Sequence, residues 1–309
     1  MNRNYTQRLV LLLILSILPS VLFALTFSLP KSNNNIVGNV KTITMPYGED
    51  ITDIGQKYQV GYFEFLEANP DSDLDNLFAG TKLVVPTRYI LPSALHKGVV
   101  INLAELRLYY YPPGGAEVMT FPIGIGRKGE LTPLMKTKII DKREDPIWTP
   151  TALTRQQELE KGIVLPRFIE AGPQNPLGKF SMRLGFNTYL IHGTNDPSGV
   201  GIRSSGGCIR MYPNDISKLF PLINVGTSVN VVNQPFKAGW RGNTLYLEAH
   251  VPIGHKRGKA LDVLTPVVQA IMQMAKKRQH VEINWEKAMT VADQQRGIPE
   301  PIGHLASSK

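Results

Sequence analysis

The sequence predicts a mainly β protein: a β-sandwich-like domain or partial barrel, with a small βααβ module before it and an α/β subdomain after it. Three observations carry that reading. Short runs rich in Val, Ile, Leu and Tyr recur from Thr42 to Trp285. The 27 glycines and 23 prolines punctuate those runs, as turns between short strands require. Helical periodicity is confined to a few segments, chiefly within 50–69, 214–222 and 266–276. A chain of 309 residues has room for two or three domains.

Residues 1–24 read as a secretory signal peptide. Arg3 and Arg8 precede the apolar run Leu9 to Leu18, Pro19-Ser20 ends it, and Leu22-Phe23-Ala24 offers a cleavage site. The run is shorter than the roughly 20 residues of a membrane span, and an uncleaved N-terminal anchor is the alternative. Ser32 to Asn39 is polar and reads as a flexible lead-in.

Residues 40–87 form the first module. Thr42-Ile43-Thr44-Met45 alternates as a strand, and Pro46-Tyr47-Gly48 turns the chain. Asp50 or Thr52 can cap a helix through Ile54 and Tyr58. Tyr62 to Asn69 reads as a second helix with Phe63, Leu66 and Glu67 at helical spacing, stopped by Pro70. Lys82 to Pro86 is the returning strand. Thr87 to Gly98 then reads as a linker.

Residues 97–233 form the second domain, with strands at 99–103, 107–111, 118–125, 137–141, 189–192 and 228–232 and a helix from Asn214 to Leu222. In an alternating strand, Tyr109 to Tyr111 are expected half in the core and half on the surface. Residues 236–309 make the third unit. It has a strand from Thr244 to Val251, a helix from Pro266 to Lys276 capped by Thr265, and a strand from Val281 to Trp285. A short helix runs through Met289, and the last dozen residues read as disordered.

The formal charge of +9 favours polyanionic surroundings, such as anionic lipid or wall carboxylates. An exported chain without a nucleic-acid motif excludes nucleic acid as the partner. The six histidines are scattered and no Cys/His cluster has zinc spacing, so no metal or other cofactor is expected.

The single cysteine, Cys208, stands in Ser205-Gly206-Gly207-Cys208-Ile209-Arg210. A lone thiol is a buried spectator, an intermolecular link or a nucleophile. Two preceding glycines let backbone N–H groups approach a reacting carbonyl. His192 supplies a base, and the positive charge of Arg210 favours thiolate. These features select the nucleophile. Asp141, Glu144, Asp145 and Glu170 show no pairing pattern and read as structural, and Gly124-x-Gly126 lacks the helix of a nucleotide loop. Trp148 and Pro150 are expected in a lid over the cleft.

The motifs Val100 to Tyr109, Phe121 to Gly126, Lys142 to Pro150, Gly172 to Gly178, Ile191 to Asn195 and Ser205 to Arg210 occur in one order that resembles the catalytic domain of the L,D-transpeptidases, the YkuD family. Residues 40–87, through Gly48-Glu49-Asp50, Asn69-Pro70 and Ala79 to Pro86, resemble a LysM glycan-binding domain, and the whole looks like the periplasmic Gram-negative enzymes. The resemblance implies a peptidoglycan transferase that attacks the bond between the third and fourth residues of a stem tetrapeptide, releases D-alanine and passes the acyl group to an amine. Cys208 would be nucleophile and His192 general base and acid. The N–H groups of Gly207 and Cys208 would form the oxyanion hole. Arg210 would hold a substrate carboxylate or a neighbouring loop, with Ser205 and Arg203 shaping that loop. Where family members often have histidine, this chain has Gly206, so the His192 ring is expected to be oriented by a backbone carbonyl, that of Gly193. Implied partners are peptidoglycan stem peptides and glycan, an outer-membrane lipoprotein or protein acceptor, and a carbapenem inhibitor. The alternatives are an L,D-carboxypeptidase or amidase using water, and a wall-binding protein without catalysis.

Overall fold

The protein is described by a computed structural model covering residues 25–31, 34–186, 188–255, 257–258 and 264–306. The expected signal segment lies outside the described residues. No helix among the described residues is long and apolar enough to cross a membrane.

The chain opens with β1 (Leu25–Ser28) and β2 (Ile36–Gly38). The first module follows as β3 (Lys41–Thr44), α1 (Ile51–Tyr58), α2 (Tyr62–Ala68) and β4 (Lys82–Val85), with β3 antiparallel to β4. Asp50 caps α1 by accepting from the N–H groups of Thr52 and Asp53, and Asp53 reaches back to the Asp50 N–H. Such a capping box stabilises a helix of this length by about 1 kcal/mol. Ile54, Val60, Phe65, Leu83 and Val85 fill the core of the module, and Ile54→Ala would cost about 2–5 kcal/mol. Of the three α2 residues noted at helical spacing, Glu67 is buried, Leu66 is half-buried and Phe63 is exposed. Glu64 is buried as well, because α2 docks on the rest of the protein through its acids.

β5 (Arg88–Ile90) pairs antiparallel with β2. The expected lead-in and the expected linker thus each contain a strand, and they find one another. Val37, Tyr89 and Leu91 from this ribbon pack on Val100, Tyr109, Tyr111 and Val118. That cover explains why Tyr109 to Tyr111 are all buried rather than half exposed: Tyr110 faces the core inside, and its neighbours face the ribbon.

The central domain consists of β6 (Gly98–Asn102), β7 (Arg107–Tyr111), β8 (Glu117–Gly126), β9 (Met135–Glu144), α3 (Ala152–Glu160), β10 (Phe180–Leu184), β11 (Leu190–His192), β12 (Arg203–Ser205), β13 (Ile209–Met211), α4 (Pro213–Leu219) and β14 (Ser228–Val232). The strand path β8-β13-β11-β10-β9-β14-β6-β7 closes because β7 also pairs with β8. The result is a closed, mostly antiparallel barrel, with β1 and β12 added on β8. Its interior is filled by Ile101, Leu108, Phe121, Ile123, Ile191, Ile209 and Val231, among others. Closure removes sheet edges and fixes the register of β11 and β13, which bear the candidate residues His192 and Arg210.

The C-terminal unit has β15 (Phe236–Arg241), β16 (Thr244–Ala249), α5 (Leu264–Ala275), β17 (Val281–Ile283), α6 (Trp285–Gln294) and β18 (Glu300–Leu305), with sheet order β15-β16-β18-β17. Val267, Ile271 and Met274 of α5 pack on Trp240 and Leu247, as their spacing implies. Residues 300–305, expected to be disordered, form β18 between β16 and β17, burying Ile302. Gly and Pro within this segment hide its strand character from a propensity reading. Helix α5 also begins by Leu264, so Thr265 and Pro266 lie inside it rather than at its cap.

Three units share one buried ionic seam. Lys237 Nζ lies 2.7 Å from Glu105 and 2.9 Å from Glu248. His250 bridges Glu248 and Glu67, both at 2.8 Å. Glu105, Glu248 and His250 are close enough together to suggest metal ligands. The Lys237 ammonium already lies between the two carboxylates, and the acids hold His250 protonated, its pKa raised to about 10 against the opposing effect of burial. An imidazolium donating from both nitrogens has no lone pair for a metal.

Candidate active site

β11 and β13 lie side by side in parallel, with Ile191 opposite Ile209 and His192 opposite Arg210. Cys208 immediately precedes β13, so the register brings the thiol to the strand that carries His192. Apolar alternation places Ile191 and Ile209 in the barrel core and turns His192 and Arg210 to the other face. His192 is nonetheless buried, and Cys208 is partly exposed.

The imidazole is oriented as expected. His192 Nδ1 lies 2.6 Å from the Gly193 carbonyl oxygen. A carbonyl only accepts, so Nδ1 carries the proton and Nε2 presents a lone pair. Burial and then the Arg210 charge push His192 down to about 4, against the Gly193 hydrogen bond. The ring is therefore neutral near neutral pH. The Cys208 thiol is pushed up by burial, which outweighs the Leu190 backbone and the Arg210 charge. Arg210 does favour the thiolate, as expected, but desolvation outweighs it. The resting pair is thiol and imidazole, not an ion pair.

Ser205 braces the loop from within. Its Oγ donates to the Cys208 carbonyl at 2.6 Å and accepts from the Gly207 N–H at 3.2 Å. The Gly207 N–H, expected in the oxyanion hole, is therefore engaged in the resting state. Gly207 has φ +103°, and a Cβ there would lie 2.6 Å from the Tyr189 ring, so glycine is required on both counts. Thr132, which the sequence reading passed over, donates from Oγ1 to the Gly207 carbonyl at 2.7 Å and accepts from the Gly126 N–H. Nothing local in the sequence marks Thr132, since the contact spans 75 residues.

Arg210 reaches Ser204 Oγ, and the Gly199 backbone presses on its guanidinium. Asp196 supports its charge against burial. Arg203, on β12, lies opposite Ile125 of β8. Gly193 packs beside Ile216 and the Leu177 carbonyl, while its own carbonyl serves His192.

Trp148 exchanges backbone hydrogen bonds with Ile169, closing an excursion that carries α3, a helix with no buried residue that the sequence did not announce. Asn175 pins its base through the carbonyls of Pro146, Ile169 and Glu170. Gln157 on α3 donates to Glu130 at 2.9 Å, and Glu130 stands where a Cβ on Gly206 would meet it. Through Glu130, α3 thereby lies beside the cysteine loop.

A neutral imidazole on β11 and a lone thiol at the head of the neighbouring β13 are the kinds of group that thiol acyl transfer uses. The comparisons sharpen that class. Residues 96–231 match the YkuD family model, the L,D-transpeptidase catalytic domain. The chain is 40% identical over 283 residues to the probable L,D-transpeptidase YcfS of Escherichia coli K12, spanning 90% of this chain and 88% of that one. It is 37% identical to the probable L,D-transpeptidase ErfK/SrfK of the same organism over 90% of this chain and 91% of the relative. For the probable L,D-transpeptidase YbiS the identity is 41% over 74% and 76%. This protein belongs to the L,D-transpeptidase family.

Proposed function

We propose that the protein is a periplasmic peptidoglycan L,D-transpeptidase in which Cys208 and His192 act as a dyad. One observation carries the reading: His192 Nδ1 is tied to Gly193, which leaves Nε2 as the base for the only thiol in the chain.

In the first half-reaction the thiol proton passes to Nε2 as sulfur attacks the stem-peptide carbonyl between diaminopimelate and D-alanine. The Cys208 N–H stabilises the oxyanion, and the Gly207 N–H joins if it turns away from Ser205. His192 then protonates the leaving D-alanine nitrogen, and a thioester remains. In the second half-reaction an acceptor amine attacks. His192 takes a proton from the amine and returns it to the departing sulfur. Arg210, beside the thiol, binds a substrate carboxylate. Carbapenems acylate the same sulfur.

The module of residues 40–87 binds wall glycan as a LysM-like domain. Its βααβ order supports this, as do Tyr47 and Phe78, 94% and 76% exposed at turns joined through Met45, Gly80 and Thr81. Exposed aromatic faces suit sugar rings. Residues 1–24 would deliver the chain to the periplasm.

The test is mass spectrometry of the protein with disaccharide-tetrapeptide, with and without a lysine-terminated lipoprotein peptide. A Cys208-dependent 3–3 dimer or peptide conjugate supports transfer and identifies the acceptor. Tripeptide alone means hydrolysis, and unchanged substrate removes the enzymatic reading.

A further inference from the structure

A cavity of about 340 Å³ lies behind the cysteine loop. Its walls are mostly apolar, including Leu103, Ile125, Pro133, Leu134 and Ile253, and Arg203 is its one charged residue. The Arg203 Nε is buried and meets no hydrogen-bond acceptor. A buried donor left without an acceptor is costly, and an anion would complete it. The size is at the low end for ligand pockets, which suits one small group rather than a whole muropeptide.

Two walls of the cavity hold the catalytic loop directly. Thr132 donates to the Gly207 carbonyl, and the strand that bears Arg203 ends in Ser205, bonded to the Cys208 carbonyl. The cavity therefore adjoins the reacting centre on a side that Arg210 does not serve: Arg210 lies under Gly199, toward Ser204 and Asp196.

We propose that Arg203 and this cavity form a second carboxylate subsite, taking a carboxylate borne on a short aliphatic chain. In the reaction above, which this proposal rests on, that group is found on the diaminopimelate of the donor stem, on the diaminopimelate of the acceptor stem, and on a free D-amino acid acceptor. The apolar walls receive the methylenes, and the planar fork of Arg203 takes the two oxygens. Such a group would complete the orphaned Nε.

The experiment pairs Arg203→Met and Arg203→Lys with substrates whose carboxylate is free or amidated, on donor and acceptor separately. In the unaltered enzyme, amidation on the bound partner raises KM about ten- to a hundredfold, the usual weight of a charge-assisted bidentate contact. In Arg203→Met that penalty disappears, and Arg203→Lys keeps part of it. The partner whose penalty disappears, donor stem, acceptor stem or free D-amino acid, is the source of the group. A penalty of equal size in Arg203→Met, for every partner, overturns the proposal. A second arm needs no turnover. Calorimetric binding of free and amidated tripeptide to Cys208→Ala protein loses its preference for the free acid when Arg203→Met is added. If that preference depends on Arg203 while the unaltered enzyme forms no thioester, the subsite stands and the transferase reading falls. If thioester forms and the preference ignores Arg203, the reverse holds.

Discussion

Arg107 of the barrel and Glu64 of the small module form a forked ion pair, Nε to Oε1 and Nη2 to Oε2 both at 2.9 Å, with both side chains buried. Arg107 also donates to the Gln59 carbonyl and stacks 4.3 Å over Tyr89. The Glu64 charge raises the Arg107 pKa further despite burial. The pair does more to fix orientation than to add stability, because desolvating both groups offsets most of their attraction. Removing one partner is different, since it strands a buried charge. Glu64→Ala should therefore cost about 3–5 kcal/mol. Urea unfolding checks this, and a loss below 1 kcal/mol would mean that water reaches Arg107.

The same pair explains how the module meets the segment before β12. With α2 held by Arg107, the Phe63 N–H donates to the Gly201 carbonyl, and Gly61 lies so close to Gly201 that a Cβ would be 2.6 Å from its Cα. Gly199, two residues before Gly201, rests on Arg210. Gly201→Val should thus disturb catalysis as well as docking, visible as a lower kcat in a protein whose module is still folded. An unchanged kcat would show that the docking is catalytically silent.

His250 makes stability depend on alkaline pH. Its folded pKa, about 10, lies above the unfolded value of 6.5, because Glu67 and Glu248 hold the proton. Its stabilising contribution is complete below about 6.5 and is lost as pH rises through about 10. The melting temperature should fall across that window, and His250→Gln should start lower and fall less steeply. Scanning calorimetry at stepped pH gives both numbers, and parallel curves for the two proteins would refute the assignment.

How far the sequence could be read follows from which contacts are local. Strands 107–111 and 228–232 were legible to the residue because both alternate or run apolar between clear turns. Cys208 and His192 could be singled out as candidates because their types and glycine flanks suit chemistry, and the register of β11 and β13 brings their strands together. Strands β2 and β5 were not, since each has three residues and exists only by pairing with the other. The burial of the acids Glu64 and Glu67 could not be read from the sequence, because the groups that neutralise them, Arg107 and His250, lie 43 and 183 residues away. Thr132 escaped for the same reason: its hydroxyl gains meaning only when the Gly207 carbonyl, 75 residues on, is placed on it.

Gly207→Ala is the sharpest local test of the loop. The substitution forces a Cβ toward the Tyr189 ring and disfavours a backbone φ of +103°. A strained residue of this kind costs about 1–3 kcal/mol. Relief would come by rotating the peptide that Ser205 and Thr132 hold, which moves the Cys208 N–H. The expected outcome is a thioester-forming rate reduced at least about tenfold, the equivalent of 1.4 kcal/mol, with a modest drop in melting temperature. A normal rate would show that the loop tolerates another path.

The neutral dyad makes a prediction that an ion-pair dyad does not share. The thiol pKa lies above its usual range and that of His192 at about 4. Between those values the free enzyme holds a thiol and an unprotonated imidazole. Alkylation of Cys208 by iodoacetamide, which consumes thiolate, should then rise with pH through neutrality and level off only in the alkaline range. Acylation by substrate, which draws the proton onto His192 in the transition state, should instead be level across neutral pH. It should fall as pH drops through about 4, where the base becomes protonated. His192→Gln should reduce acylation by about 10²–10⁴ while changing alkylation far less, because iodoacetamide needs no general acid for its leaving group. An alkylation rate that saturates below pH 7 would demonstrate a resting thiolate, and with it a charge at His192 that the buried, Arg210-facing ring does not favour.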